Sequence, residues 1–143
     1  MAHSQLPCPL FLLCSFLMLP SVLLQEVPMT GGLIPVPVTN EEVKKAAAFA
    51  VEQFNKHSDN ANYFKELRIV EAQSQVVAGW KCYLIVEMGE TVCEKNKGPL
   101  PFIEIQKCEL LRRDQQEKLT CNFVVWSRPW LQDTQLLSMN CSK

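Results

Sequence analysis

Leu67-Arg68-Ile69-Val70-Glu71-Ala72-Gln73-Ser74-Gln75-Val76-Val77-Ala78-Gly79-Trp80-Lys81-Cys82-Tyr83-Leu84-Ile85-Val86-Glu87-Met88 is the stretch whose pattern decides the fold. Leu67, Ile69 and Glu71 alternate with Arg68, Val70 and Ala72. Further on, Trp80, Cys82, Leu84, Val86 and Met88 alternate with Lys81, Tyr83, Ile85 and Glu87. Period-two alternation belongs to strands, whose successive side chains point to opposite faces of a sheet. Gln75-Val76-Val77-Ala78-Gly79 lies between the two runs and predicts a hairpin turn.

Upstream the period changes to that of a helix. Val43, Ala46, Ala47, Ala50, Val51 and Phe54 recur at helical spacing, with Lys44, Lys45, Glu52 and Gln53 on the other side. Thr39-Asn40-Glu41-Glu42 reads as a capping box, in which the Thr39 hydroxyl accepts from the Glu42 amide. The helix is expected to end between His57 and Asn60, and its small alanines allow close approach to a flat partner. Ahead of it, Pro35 and Pro37 exclude a helix, so Val27 to Val38 reads as an extended arm.

Downstream, Glu94 to Leu100 carries Lys95, Lys97, Gly98 and Pro99 and reads as an exposed loop. Strand patterning returns from Leu119 to Trp126, breaks at Ser127-Arg128-Pro129 and resumes from Leu131 to Met139. Proline cannot donate to a ladder, so Pro129 marks a turn between two strands. One helix followed by antiparallel strands predicts an α+β domain with the helix laid across a single antiparallel sheet.

The ends of the chain set the compartment. Met1 to Leu24 holds no Lys, Arg, Asp or Glu and contains the apolar run from Pro9 to Leu19, too short to span a membrane. It reads as a secretory signal, cut between about Ser21 and Met29, with residues 25–143 as one domain. Every charge lies at or after Glu26, so the net charge of −1 also describes the mature chain. Nothing basic enough for nucleic acid and no second apolar span for a membrane is present in the sequence.

Cys8 and Cys14 leave with the signal, and Cys82, Cys93, Cys108, Cys121 and Cys141 remain. An odd number in an oxidising compartment implies two bridges and one leftover thiol, with the pairing left open by the residues themselves. No Cys-x-x-Cys step occurs and His57 is the one mature histidine, so neither a metal site nor a cofactor is expected. For a hydrolase the chain offers no nucleophile motif and no carboxylate pair. A Cys82–His57 dyad would lack both an orienting group and an oxyanion site.

Gly31-Gly32, Gln75-Val76-Val77-Ala78-Gly79, Pro129-Trp130 and the cysteines Cys93, Cys108, Cys121 and Cys141, in this order, resemble a secreted type 2 cystatin over essentially the whole mature chain. Val70 to Val77 and Val125 to Trp130 look most like cystatins of snakes, including venom cystatins, and more distantly like cystatin E/M. The resemblance implies a reversible, competitive inhibitor, not an enzyme. It would act as a monomer on papain-like cysteine proteases such as cathepsins, with the arm and two hairpin loops filling the active-site cleft.

In that arrangement Ala78 and Gly79 lack bulk, Val76 and Val77 offer apolar area, and Trp130 is a rigid aromatic of the type found at hot spots. Gly31 would let the arm turn away from the catalytic thiol. The resemblance also implies the pairs Cys93–Cys108 and Cys121–Cys141, which leaves Cys82 as a half-buried inert thiol on the Trp80/Leu84 face, or else bridged to another molecule or capped by a small thiol.

The chain departs from the family pattern in several places. Met29 and Thr30 precede Gly31 where many relatives carry two aliphatic residues, which predicts an arm weaker by about 1 kcal/mol. Some cystatins block legumain through an asparagine after the helix; Asp59 falls there, beside Asn60, so a second inhibitory site is not expected. Asn140-Cys141-Ser142 has the letters of a glycosylation sequon, but a bridged middle cysteine argues against modification. The alternative function is that of a secreted binding protein of the same fold with little inhibitory power.

Overall fold

The computed structural model of the chain describes residues 32–143. The signal segment with its cleavage window, Met29, Thr30 and Gly31 lie outside the described residues. From Gly32 onward the elements are β1 (Ile34–Pro35), α1 (Glu41–His57), β2 (Asn62–Val77), β3 (Gly79–Glu94), α2 (Phe102–Gln106), β4 (Lys118–Arg128) and β5 (Asp133–Ser142). The strands form one antiparallel sheet in the order β1-β2-β3-β4-β5. The α+β expectation holds.

Helix α1 lays the expected stripe on the sheet: Val43, Ala46, Ala47, Ala50, Val51 and Phe54 are all buried. Phe54 meets Phe64 of β2 edge to face at 5.5 Å between ring centres, a favoured aromatic geometry. Leu84, Val86 and Met88 of β3 and Phe123 and Val125 of β4 complete the core. Full burial of each such side chain contributes about 1.5–3 kcal/mol. Acidic Glu41 and Glu42 at the first turn and basic Lys56 and His57 at the last complement the helix dipole.

The start of α1 differs from the expected capping box. Asn40, not Thr39, is the cap, and its Oδ1 accepts from the amides of Glu42 at 2.8 Å and Val43 at 3.3 Å. The Asn40 amide itself bonds the Pro37 carbonyl, which confines Thr39 to the turn before the helix. Glu42 turns outward to Lys45 instead of back to the cap.

The central hairpin is longer and tighter than the sequence suggests. Gln75, Val76 and Val77 are strand, paired with Lys81, Trp80 and Gly79, so the turn is reduced to Ala78. Two register shifts in β2, between Glu66 and Arg68 and between Ile69 and Glu71, make Leu67 and Val70 extra residues. Glu66, Ile69 and Ala72 are therefore paired with Met88, Val86 and Leu84, and the simple alternation of Leu67, Ile69 and Glu71 fails. Burial beside Met88 pushes the Glu66 carboxyl up from its ordinary value.

Within the expected loop, Lys95–Lys97 makes a single helical turn, and α2 follows it without a clear sequence signal. Cys93 is bridged to Cys108 and Cys121 to Cys141. Cys82 is free and 0% exposed, so the half-buried thiol is in fact wholly buried.

Candidate functional site

Antiparallel register carries the sequence-predicted residues to one end of the sheet. Val76 pairs with Trp80, Trp80 with Ser127, and Ser127 with Thr134, which forms one row across four strands. At the other edge Ile34 pairs with Ser74 and Pro35 with Gln73, so β1 begins beside the end of β2 that leads into the Ala78 turn. The described start of the chain at β1, the β2–β3 turn and the β4–β5 turn thus share one end of the sheet. Gly32, Gln75 to Gly79, Pro129 and Trp130 are all found there; Gly31 lies outside the described residues.

Each turn has a local cause. Gly79 takes φ of +102°, a region that disfavours any side chain. A Cβ on it would lie 2.5 Å from the Ser127 carbonyl oxygen and 2.9 Å from Arg128 Cγ. The second turn, Pro129–Leu131, begins with proline at its first helical position and closes through Gln132 in the left-handed region at φ 50°. It presents Trp130 to solvent at 65% exposure. Val76 is 63% exposed, and Leu33, Ile34 and Leu131 are exposed too, so this end carries apolar surface that the core does not use.

The two turns are also tied to each other by residues that sequence reading missed. The Trp126 Nε1–H donates to the Ala78 carbonyl oxygen at 2.9 Å. The Arg128 guanidinium lies 4.4 Å from the centre of the Trp126 ring. Its Nε donates to Asp133 Oδ2 at 3.0 Å, and Gln135 Nε2 donates to the same oxygen at 3.0 Å. The hydrogen bond from Arg128 holds the Asp133 carboxyl below the usual carboxylate range. Trp126-Ser127-Arg128 followed by Asp133 was the available signal, but letters alone do not show which way an indole points.

A profile of the cystatin domain matches residues 31–130. The chain belongs to the cystatin family. It is 55% identical to a cystatin of Naja kaouthia over 99% of this chain and 100% of that one. Cystatin-1 of Crotalus adamanteus is likewise 55% identical, over 98% of this chain and 99% of its own. The crystal structure of dimeric human cystatin F superposes with a TM-score of 0.72 at 31% identity, covering 82% of this cystatin and 90% of that chain. The likeness to snake cystatins read from the motifs therefore holds, and cystatins as a family are inhibitors of cysteine proteases.

In this cystatin no group of His, Cys, Asp and Glu suited to a metal occurs among the described residues. Nor is any described helix long and apolar enough to cross a membrane. Asp59 and Asn60 follow α1, and Lys95 Nζ donates to the Ser58 carbonyl at 3.1 Å and hydroxyl at 2.9 Å. This segment lies beside the Asn62/Glu94 pair, at the end of the hairpin remote from Ala78.

Proposed function

We propose that the protein is a secreted, reversible and competitive inhibitor of papain-like cysteine proteases, cathepsins among them. Residues 1–24 would act as the removed signal and 25–143 as the inhibitory domain. Gly31 and Gly32 carry the arm past the catalytic thiol. Gln75 to Gly79 enter the cleft from one side and Pro129-Trp130 from the other. The protein performs no chemistry of its own, and secretion is supported by the two disulfides and the apolar leader.

The observation that carries this reading is the register-aligned row joining Val76, Trp80, Ser127 and Thr134, which sets the two hairpin turns side by side, together with the Ile34–Ser74 pairing that starts β1 beside them, on a surface with exposed apolar residues. A cleft-filling inhibitor needs such a convergence, because a single loop offers too little area for tight binding.

Titration of papain and a lysosomal cathepsin with the mature chain, against a fluorogenic peptide, tests it. The expected result is tight inhibition with the inhibitor recovered intact, and weaker inhibition by Trp130→Ala by about tenfold or more. No inhibition of either enzyme by a folded, correctly bridged sample would favour the secreted binding protein without inhibitory power.

A further inference from the structure

The contact of Trp126 with Ala78 joins residues 48 apart in sequence and links β4 to the turn that leads into its neighbour β3. Trp126 is paired on the sheet with Lys81 and Gln135, yet its indole N–H reaches the tip of the neighbouring hairpin. The indole is held in turn: Arg128 covers its ring, and Asp133, directly opposite Arg128 in the β4–β5 pairing, takes the guanidinium from the side. Gly79 leaves the room for this arrangement, since a Cβ there would come within 3.1 Å of Trp126 Nε1. None of the three side chains belongs to the motifs that the proposed contact surface uses.

We infer that Trp126, Arg128 and Asp133 are positioning residues of the inhibitory surface: they fix the Ala78 carbonyl, and with it the Ala78-Gly79 turn, relative to Pro129-Trp130. The inference rests on the protease-inhibiting function proposed above and adds residues to it. Two hairpin turns that move independently must both be ordered when a protease binds, and ordering lowers affinity. A brace between them meets that cost during folding. Arg128 suits the role because a planar guanidinium can stack on an indole and bond a carboxylate at the same time, which a lysine cannot.

The test compares inhibition of papain by the wild-type chain, Trp126→Phe, Asp133→Asn and the double variant. Trp126→Phe keeps an aromatic ring under Arg128 but removes the N–H together with one of the two fused rings; Asp133→Asn removes the charge that aims Arg128. Each single variant is expected to raise Ki about tenfold, and the double variant little more than either, because both act on one carbonyl. Nitrogen-15 relaxation should show Ala78 and Gly79 ordered in the wild type and mobile in Trp126→Phe. Arg68→Gln, which breaks the exposed Arg68–Glu87 pair elsewhere on the sheet, should leave Ki unchanged.

Single variants within twofold of wild type, multiplicative effects in the double variant, or unchanged order at Ala78 and Gly79 would each overturn the inference. If Trp126→Phe does not fold, Asp133→Asn and Arg128→Lys supply the same comparison. A wild-type chain that fails to inhibit would remove the protease function alone. The brace would then stand or fall on the relaxation data.

Discussion

Asn55 grips the backbone of Phe64 from both sides. Its Nδ2 donates to the Phe64 carbonyl at 2.8 Å and its Oδ1 accepts the Phe64 amide at 2.8 Å. A helix side chain thus completes a strand residue's hydrogen bonding inside the core, where Asn55 is 4% exposed. Asn55→Ala would leave both groups of Phe64 buried and unpaired. It is expected to lower stability by about 2–4 kcal/mol, read as a lower urea midpoint at unchanged slope. A loss under about 1 kcal/mol would mean that water replaces the side chain.

Gly79 and Gly32 predict opposite behaviour on gaining a methyl group. Gly79→Ala meets the Ser127 carbonyl at a backbone angle that disfavours alanine, so both folding and inhibition should suffer, with about 1–3 kcal/mol of stability lost. Gly32→Ala meets nothing within 4 Å, and its φ lies outside the left-handed region, so stability should not change. Any weakening of inhibition by Gly32→Ala then reports contact with the protease. Equal thermal midpoints and equal Ki values for Gly32→Ala and wild type would remove Gly32 from the contact surface.

The charge on Asp133 should survive mild acid. Its folded-state pKa is lowered, first by the hydrogen bond from Arg128, so its contribution is present above about pH 4, where an unfolded aspartate is ionised. It is lost only as pH falls through the lower folded value. The difference in urea midpoint between wild type and Asp133→Asn should therefore be constant from pH 7 to about pH 4 and shrink below that. A difference that already closes by pH 5 would show Asp133 to be less tightly paired than its geometry implies.

Burial pushes the Cys82 thiol up to about 12. Native protein at pH 8 should therefore be inert to an aromatic disulfide reagent, while the mature chain unfolded in guanidinium without reductant should release one equivalent. The linkage has a definite sign: an unfolded cysteine ionises near pH 8.5 while the folded one stays neutral, so its preference for the fold fades as pH rises from about 8.5. Rapid native-state reaction would indicate opening of the sheet around Cys82. An unfolded chain that releases no equivalent without reductant would favour the capped or bridged alternatives.

What the sequence disclosed depended on whether a pattern ran unbroken. The buried face of α1 was legible from Val43 to Phe54 because no residue interrupts its period, whereas Asn55 escaped notice because a polar letter does not announce a buried clamp. In β2 the alternation was misread because Leu67 and Val70 are inserted between paired residues, and an insertion of one residue exchanges the two faces. Thr39 and Asn40 are both competent caps; the choice fell to Asn40 through the turn at Pro37, which composition does not reveal. The residues proposed to contact a protease were legible as motifs. Their brace was not, since Trp126, Arg128 and Asp133 become partners only when three strands are laid side by side.

The placement of the covalent links has a consequence for how this molecule comes apart. Cys121–Cys141 fastens β4 to β5 well before the Ser127–Thr134 row, and Cys93–Cys108 ties the end of β3 remote from Ala78 to the segment after α2. Among the described residues no sulfur bridge reaches the tip formed by Ala78 and Trp130. The tip is thus fastened only by contacts that can open and reclose many times without chemical damage. The base, once reduced, depends on an oxidant to be restored. Wear and repair are segregated: the part proposed to meet a protease recovers on its own, and the part that needs chemistry to mend lies away from it.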